Sequence, residues 1–146
     1  MPFTQIYIHL IWATKNRKPL LSTKAIRSGL IHHIHQNCKK NDIHLLAVNC
    51  VTDHIHLLIS LRREQTLAQT VKQIKGESSR WVNETKLLDT YFSWQREYMG
   101  ISISHTHLDA VREYIANQER HHTTSSVDSE FEYFANKYGF EKPGFE

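Results

Sequence analysis

Two short stretches with a period of two limit this chain more than any other feature. In residues 54–61, Ile55, Leu57, Ile59 and Leu61 share one side of an extended backbone, so His54 and His56 project together from the other. Near the start, Ile6, Ile8, Leu10 and Trp12 alternate with Gln5, Tyr7 and His9. Both stretches read as strands with an apolar face for a core and a second face that carries imidazole. If that second face is also covered, its histidines need hydrogen-bond partners or a ligand, because an unpaired buried polar group is costly.

The remaining elements follow from caps and periodicity. After a basic loop (Lys15, Asn16, Arg17, Lys18, then Pro19), Ser22 or Thr23 caps a helix whose apolar line is Ile26, Leu30, Ile34 and Cys38, ending near Asn41 and Asp42. Residues 43–51 form a second strand, and Thr52 and Asp53 turn it into the His54 strand as a hairpin. Thr66 caps a second helix with Leu67, Val71, Ile74 and Val82 inward and Lys72, Lys75, Ser79 and Arg80 outward. Residues 91–104 supply a fourth strand interrupted at Gly100, and Ser104 or Thr106 caps a third helix that runs to about His122. A Ser/Thr-rich break at 123–126 leads to a short amphipathic tail, 127–146. The order β-α-β-β-α-β, then α, predicts an α+β, ferredoxin-like sandwich whose four-stranded antiparallel sheet has its first and third strands at the centre.

With 146 residues, 40% of them hydrophobic and 23% charged, the chain is expected to form one domain, 1–146, without disulfides. The first fourteen residues lack a basic, apolar and cleavable leader, and no stretch approaches the roughly 18 apolar residues of a membrane span. A cytoplasmic location is therefore expected, with Cys38 and Cys50 as reduced thiols. The net charge of +3 suits nucleic acid without requiring it. Eleven histidines are the stronger anomaly, since imidazole is the usual metal ligand and proton carrier near neutral pH.

On the third helix Tyr114 and Gln118 stand one turn apart on the same side, while Leu108, Val111 and Ile115 turn toward the core. A phenol with an ordinary pKa near 10 needs help to attack a phosphodiester, and a cation on the non-bridging oxygen lowers that barrier. A bare His-x-His pair is a weak sign of metal, equally compatible with a decorated sheet surface, and a helical tyrosine is more often a plain surface residue. His9 reads as a histidine hydrogen-bonded within the packed face. His32, His33 and His35 read as solvent-facing, His121 as a cation at a helix C-terminus, and Asp53 and Glu113 as supporting groups. Lys15, Arg17 and Lys18 on the loop, and Lys72, Lys75 and Arg80 near Trp81 on the second helix, either hold phosphates or form solvated faces. The chain contains no glycine-rich phosphate-binding motif.

Taken together, these residues carry a resemblance that extends over nearly the whole chain. Asp53-His54-Ile55-His56-Leu57-Leu58, the run from His9 to Lys15 with Arg17 and Pro19, the run Lys75-Gly76-Glu77-Ser78-Ser79-Arg80-Trp81, and Tyr114-Ile115-Ala116-Asn117-Gln118 resemble HUH-class, single-tyrosine transposases of small bacterial and archaeal insertion sequences, the IS200-like transposases. The resemblance implies an HUH/RRM-like sandwich with a C-terminal tyrosine-bearing helix. It implies that His54, His56 and Gln118 bind Mg²⁺ or Mn²⁺ and that Tyr114 attacks single-stranded DNA at hairpin ends through a 5′-phosphotyrosine. It also implies a homodimer whose active sites are shared between subunits, working on DNA in a prokaryotic nucleoid. Three other readings stay open: a domesticated relative that processes chromosomal palindromic repeats, a non-catalytic nucleic-acid module, and a zinc-dependent hydrolase.

Overall fold

The elements are β1 (Tyr7–Ala13), α1 (Lys24–Lys40), β2 (His44–Cys50), β3 (His54–Ser60), α2 (Leu67–Glu84), β4 (Met99–Ile103) and α3 (Leu108–Ala116), in a computed structural model that describes residues 3–118 together with Tyr133 and Lys137. The strands pair antiparallel in the order β2-β3-β1-β4, which puts β1 and β3 at the centre as the ferredoxin-like order requires. Period-two alternation then divides the core in two. Ile8, Leu10 and Trp12 of β1 and Ile55, Leu57 and Ile59 of β3 pack against Leu30 and Ile34 of α1 and Val71, Ile74 and Val82 of α2. On the opposite face Ile11, Leu58 and the β4 residues Met99, Ile101 and Ile103 meet Val111 and Ile115 of α3. The sheet is covered on both sides, and the histidine-bearing side lies under α3.

Local signals set the helix starts. The hydroxyl of Thr23 accepts from the Ile26 amide at 3.1 Å, and that of Thr66 accepts from the Gln69 amide at 3.2 Å. Each satisfies one of the donors a helix N-terminus leaves open. In β2 the register shifts between Leu45 and Ala47, a bulge that re-aims the rest of the strand and sets Asn49 opposite His56.

Four expectations need correction. The fourth strand is Met99–Ile103 alone, and Gly100 lies inside it opposite Leu10 instead of interrupting it. Residues 91–98 stay out of the ladder because side chains claim their backbone. The Asn83 amide both donates to and accepts from Phe92 at 2.8 Å, and the Lys75 ammonium donates to the carbonyls of Gln95 and Arg96. Trp94 also turns inward, its indole N–H donating to the Ser78 hydroxyl at 2.9 Å and its ring meeting Trp12 of β1 edge-on at 6.0 Å, and the segment's backbone joins the sheet through a bridge to Thr14. Second, neither Ser104 nor Thr106 caps α3 directly. Ser104 opens a 3₁₀ turn at His105–His107, and α3 follows. Third, His33 is not solvent-facing. Its ring stacks on Trp81 at 4.1 Å and its Nε2 bonds the Glu77 carboxylate at 2.7 Å, tying α1 to α2. Fourth, α3 stops at Ala116, short of the expected His122, where Asn117 leaves helical geometry as its C-cap. His121, the break at 123–126 and the tail, apart from Tyr133 and Lys137, lie outside the described residues. Among the described residues no helix is long and apolar enough to cross a membrane.

Both cysteines are buried. Burial, with the Glu77 carboxylate adding to it, pushes the Cys38 thiol from 9.0 up to about 12. Since only the thiolate is nucleophilic, iodoacetamide at pH 8 should leave Cys38 unlabelled in the folded protein and label it once denaturant is added, as mass spectrometry would read. The folded state holds this proton more tightly than the unfolded chain, so the contribution of Cys38 to stability should fade as pH rises above about 9.

Candidate functional site

On the α3 side of the sheet β1 pairs with β3 so that Ala13 faces His54, Ile11 faces His56 and His9 faces Leu58. His9, His54 and His56 are fully buried there. Nδ1 of His54 donates to the Asp53 carboxylate at 2.8 Å, and Nδ1 of His56 is bonded to Nε2 of His9 at 2.8 Å. An imidazole held at Nδ1 by a carboxylate or another acceptor keeps a fixed ring orientation and tautomer, and the nitrogen it offers a cation is Nε2. His9 therefore sits one step back from the pair, as a hydrogen-bonding partner. The His54 and His56 rings lie 5.4 Å apart at 61°.

Helix α3 brings Tyr114 over this pair. The half-buried Tyr114 ring is 5.8 Å from that of His56 and stacks on Tyr133 at 6.2 Å. Gln118, beyond the last turn, is fully buried, and neither its amide oxygen nor its amide nitrogen has a hydrogen-bond partner among the described residues. Leaving such a group unpaired costs about 1–3 kcal/mol, which calls for something else at the site to bond it. A cation fits: two imidazoles oriented from behind and one amide oxygen make a mixed N/O donor set. Among the described residues no group of three His, Cys, Asp or Glu could hold a metal.

Asn49 was invisible to sequence reasoning, although an asparagine amid β2 is itself out of character for a strand. Its amide donates to the carbonyls of Ile115 and Ala116 at 3.0 and 3.4 Å. These are among the last carbonyls of α3, which the helix cannot satisfy itself. Because Asn49 stands opposite His56, the end of the tyrosine helix is pinned beside the histidines.

The basic candidates divide into three groups. Lys15 and Lys18 are exposed and Arg17 half-buried on a loop fastened to the site, where the Thr14 amide and hydroxyl both donate to the Asp53 carbonyl, at 2.8 and 3.2 Å. Lys72 and Arg80 are exposed on α2, which covers the face of the sheet away from the histidines. Lys75 corrects the expectation of an outward charge. Its ammonium turns in under residues 95–97 and lies over the rings of Trp12 and Tyr98, and burial lowers its pKa against the opposing pull of Glu97. Glu113 is exposed, and His121 lies outside the described residues.

Residues 2–118 match the family model described as "Transposase IS200 like". The fold is similar to the crystal structure of a candidate transposase from Deinococcus radiodurans R1, with a TM-score of 0.64 and 26% identity over 80% of this chain and 93% of that one. It is also similar to a REP-associated tyrosine transposase bound to a REP hairpin, with a TM-score of 0.60 and 16% identity over 84% of this chain and 72% of that one. No curated protein matches the chain.

The orphaned amide and the Asn49 clamp make opposite predictions. Gln118→Met, nearly isosteric and apolar, should stabilise the protein in EDTA by about 1–3 kcal/mol by removing the unpaired amide. Asn49→Ala should destabilise it by about 1–2 kcal/mol by stranding carbonyls of α3. Thermal melts of the two variants beside the parent protein decide both.

Proposed function

The chain belongs to the family of IS200-like transposases, and from that premise we propose that it cleaves and rejoins single-stranded DNA through a 5′-phosphotyrosine formed on Tyr114, at hairpin-bearing ends. The observation that carries this reading is the placement of the Tyr114 ring 5.8 Å from that of the buried His56.

In the proposed reaction the Tyr114 phenol gives up its proton and its oxygen attacks a DNA phosphorus. The phosphotyrosine bond forms, and the bond to the leaving 3′-oxygen breaks. One phosphoester replaces another, so a later 3′-hydroxyl can attack the link, release Tyr114 and join a new strand without a nucleotide cofactor. His54, His56 and Gln118 would hold a divalent cation, Mg²⁺ or Mn²⁺. When bound, that ion supplies Lewis-acid stabilisation of charge on the non-bridging phosphate oxygen. Imidazole favours Mn²⁺ on affinity, while the Gln118 oxygen suits the harder Mg²⁺. Asp53 and His9 keep the two rings aimed, and Asn49 keeps the tyrosine helix seated.

The homodimer with shared sites belongs to the same proposal. Within one chain Tyr114 already faces His56, so sharing would require α3 to leave the cluster made by Val111 and Ile115. Mixing Tyr114→Phe with His54→Ala restores activity only if subunits exchange that helix.

Incubating the protein with labelled single-stranded DNA carrying a hairpin, plus Mn²⁺, should give a covalent protein–DNA band on denaturing gels, and Tyr114→Phe should abolish it. An adduct that persists in that variant would refute the assignment. Free cleaved ends without any adduct would favour hydrolysis instead. Asp53→Asn should weaken Mn²⁺ binding about 10–100-fold by releasing the His54 ring, measured as loss of the melting shift that Mn²⁺ gives the parent protein.

A further inference from the structure

The segment at residues 91–97, pulled out of the sheet, serves no purpose in the chemistry above, yet it builds a wall. It stands against the basic loop after β1, and the two enclose adjoining depressions. One, of about 980 Å³, is lined by residues that include Lys15, Asn16, Arg17, Trp94, Arg96 and Glu97. The other, of about 400 Å³, shares Lys15, Asn16 and Ser93 with the first and runs on past Lys18 to Thr90 and Tyr91. The two depressions adjoin at Lys15, Asn16 and Ser93, and together they make a grooved surface between the loop and the segment.

The groove is built in advance. The Lys15 amide donates to the Ser93 carbonyl at 3.0 Å, and the Gln95 amide donates to the Ala13 carbonyl at 2.8 Å. From behind, the Lys75 ammonium grips the Gln95 and Arg96 carbonyls. On the facing wall Asn16 and Arg17 both adopt left-handed backbone, with φ of 58° and 54°. Non-glycine residues rarely accept that conformation, and it concentrates at ligand clamps. Four cations, Lys15, Arg17, Lys18 and Arg96, face one carboxylate, Glu97, along these walls. At the far end Tyr91 holds its ring 78% exposed.

The basic loop is fastened to the turn before β3 that carries Asp53. Thr14, next to Lys15, is fully buried and bonded to the carbonyl of Asp53, the residue that holds His54. Cations spaced along a narrow groove that ends on an open aromatic ring match the chemistry of an unpaired strand: phosphates take the charges, and a base takes the ring. A duplex offers no unpaired base to stack on Tyr91.

We infer that this groove carries a single-stranded flank of the DNA away from the site, with Arg96 and the Lys15–Lys18 loop on its phosphates and Tyr91 stacked on one of its bases. Glu97 marks the end where phosphate is repelled. The inference rests on the proposed DNA-cleaving function for its substrate class and on its own geometry for its location.

The test is fluorescence anisotropy of the full chain, in the Tyr114→Phe background, with a labelled oligothymidine lacking any hairpin and with a duplex of equal length. Arg96→Gln should weaken oligothymidine binding about fivefold or more and flatten the slope of log K against log salt by about 0.7, one phosphate contact on a single strand. Tyr91→Ala should weaken it about fivefold or more, and Tyr91→Phe should restore it, since stacking needs the ring and not the hydroxyl. Both residues are exposed, so melting temperatures should not move. Parent-like binding by Arg96→Gln and Tyr91→Ala, or a duplex bound as tightly and equally sensitive to Tyr91, would overturn the groove. The covalent-adduct assay fails separately. An adduct with groove variants that bind normally leaves the tyrosine chemistry standing without the groove. No adduct, with binding lost in Tyr91→Ala, leaves the groove standing without that chemistry.

Discussion

The pairing of β1 with β3 at the centre of the sheet is the constraint on which everything else hangs. In the observed register Ile11 lies opposite His56 and Ala13 opposite His54, so three imidazoles share one face while Trp12, Ile55 and Leu57 share the other. A slip of one residue would drive His54 and His56 among the apolar side chains of α1 and α2 and turn Ile55 and Leu57 toward α3. The six apolar side chains that β1 and β3 bury against those helices enforce the register, and the histidine site inherits its geometry from a hydrophobic decision made on the far side of the sheet.

A polar cluster buried under a helix survives because its members are bonded in sequence. Asp53 holds His54, His9 holds His56, and Asn49 holds the carbonyls that end α3. Each bond satisfies a buried group and aims its neighbour, so stability and preorganisation come from the same contacts. Gln118 stands apart, since its amide is buried with no partner among the described residues. The same helix seats its apolar side, Val111 and Ile115, on β4 and the centre of the sheet while its other side carries Tyr114 to His56. Amphipathicity thus places the reactive phenol.

The run from Lys75 to Trp81 ties neighbouring elements of the fold together. Lys75 grips residues 95–97, Glu77 and Trp81 hold His33 on α1, and Ser78 accepts from Trp94. Its ties are to protein, on the side of the sheet away from the histidines. It contributes indirectly, because by fixing residues 91–98 it raises the wall that faces the basic loop.

Much of this protein was legible from sequence because local rules govern it. Alternation gave the two central strands and put His54 beside His56, and threonine caps marked the starts of α1 and α2. The βαββαβ order follows from the same local patterns, while the family was legible through the resemblance of its motifs. Tertiary structure alone decided which polar groups meet. His9 reaches His56 across 47 residues, Asn49 reaches Ile115 across 66, and Lys75 abandons solvent for carbonyls twenty residues away. Such pairings depend on register, on a bulge in β2 and on which backbone stays out of the ladder. These are set by the packing of the whole sheet, and no window of sequence contains them.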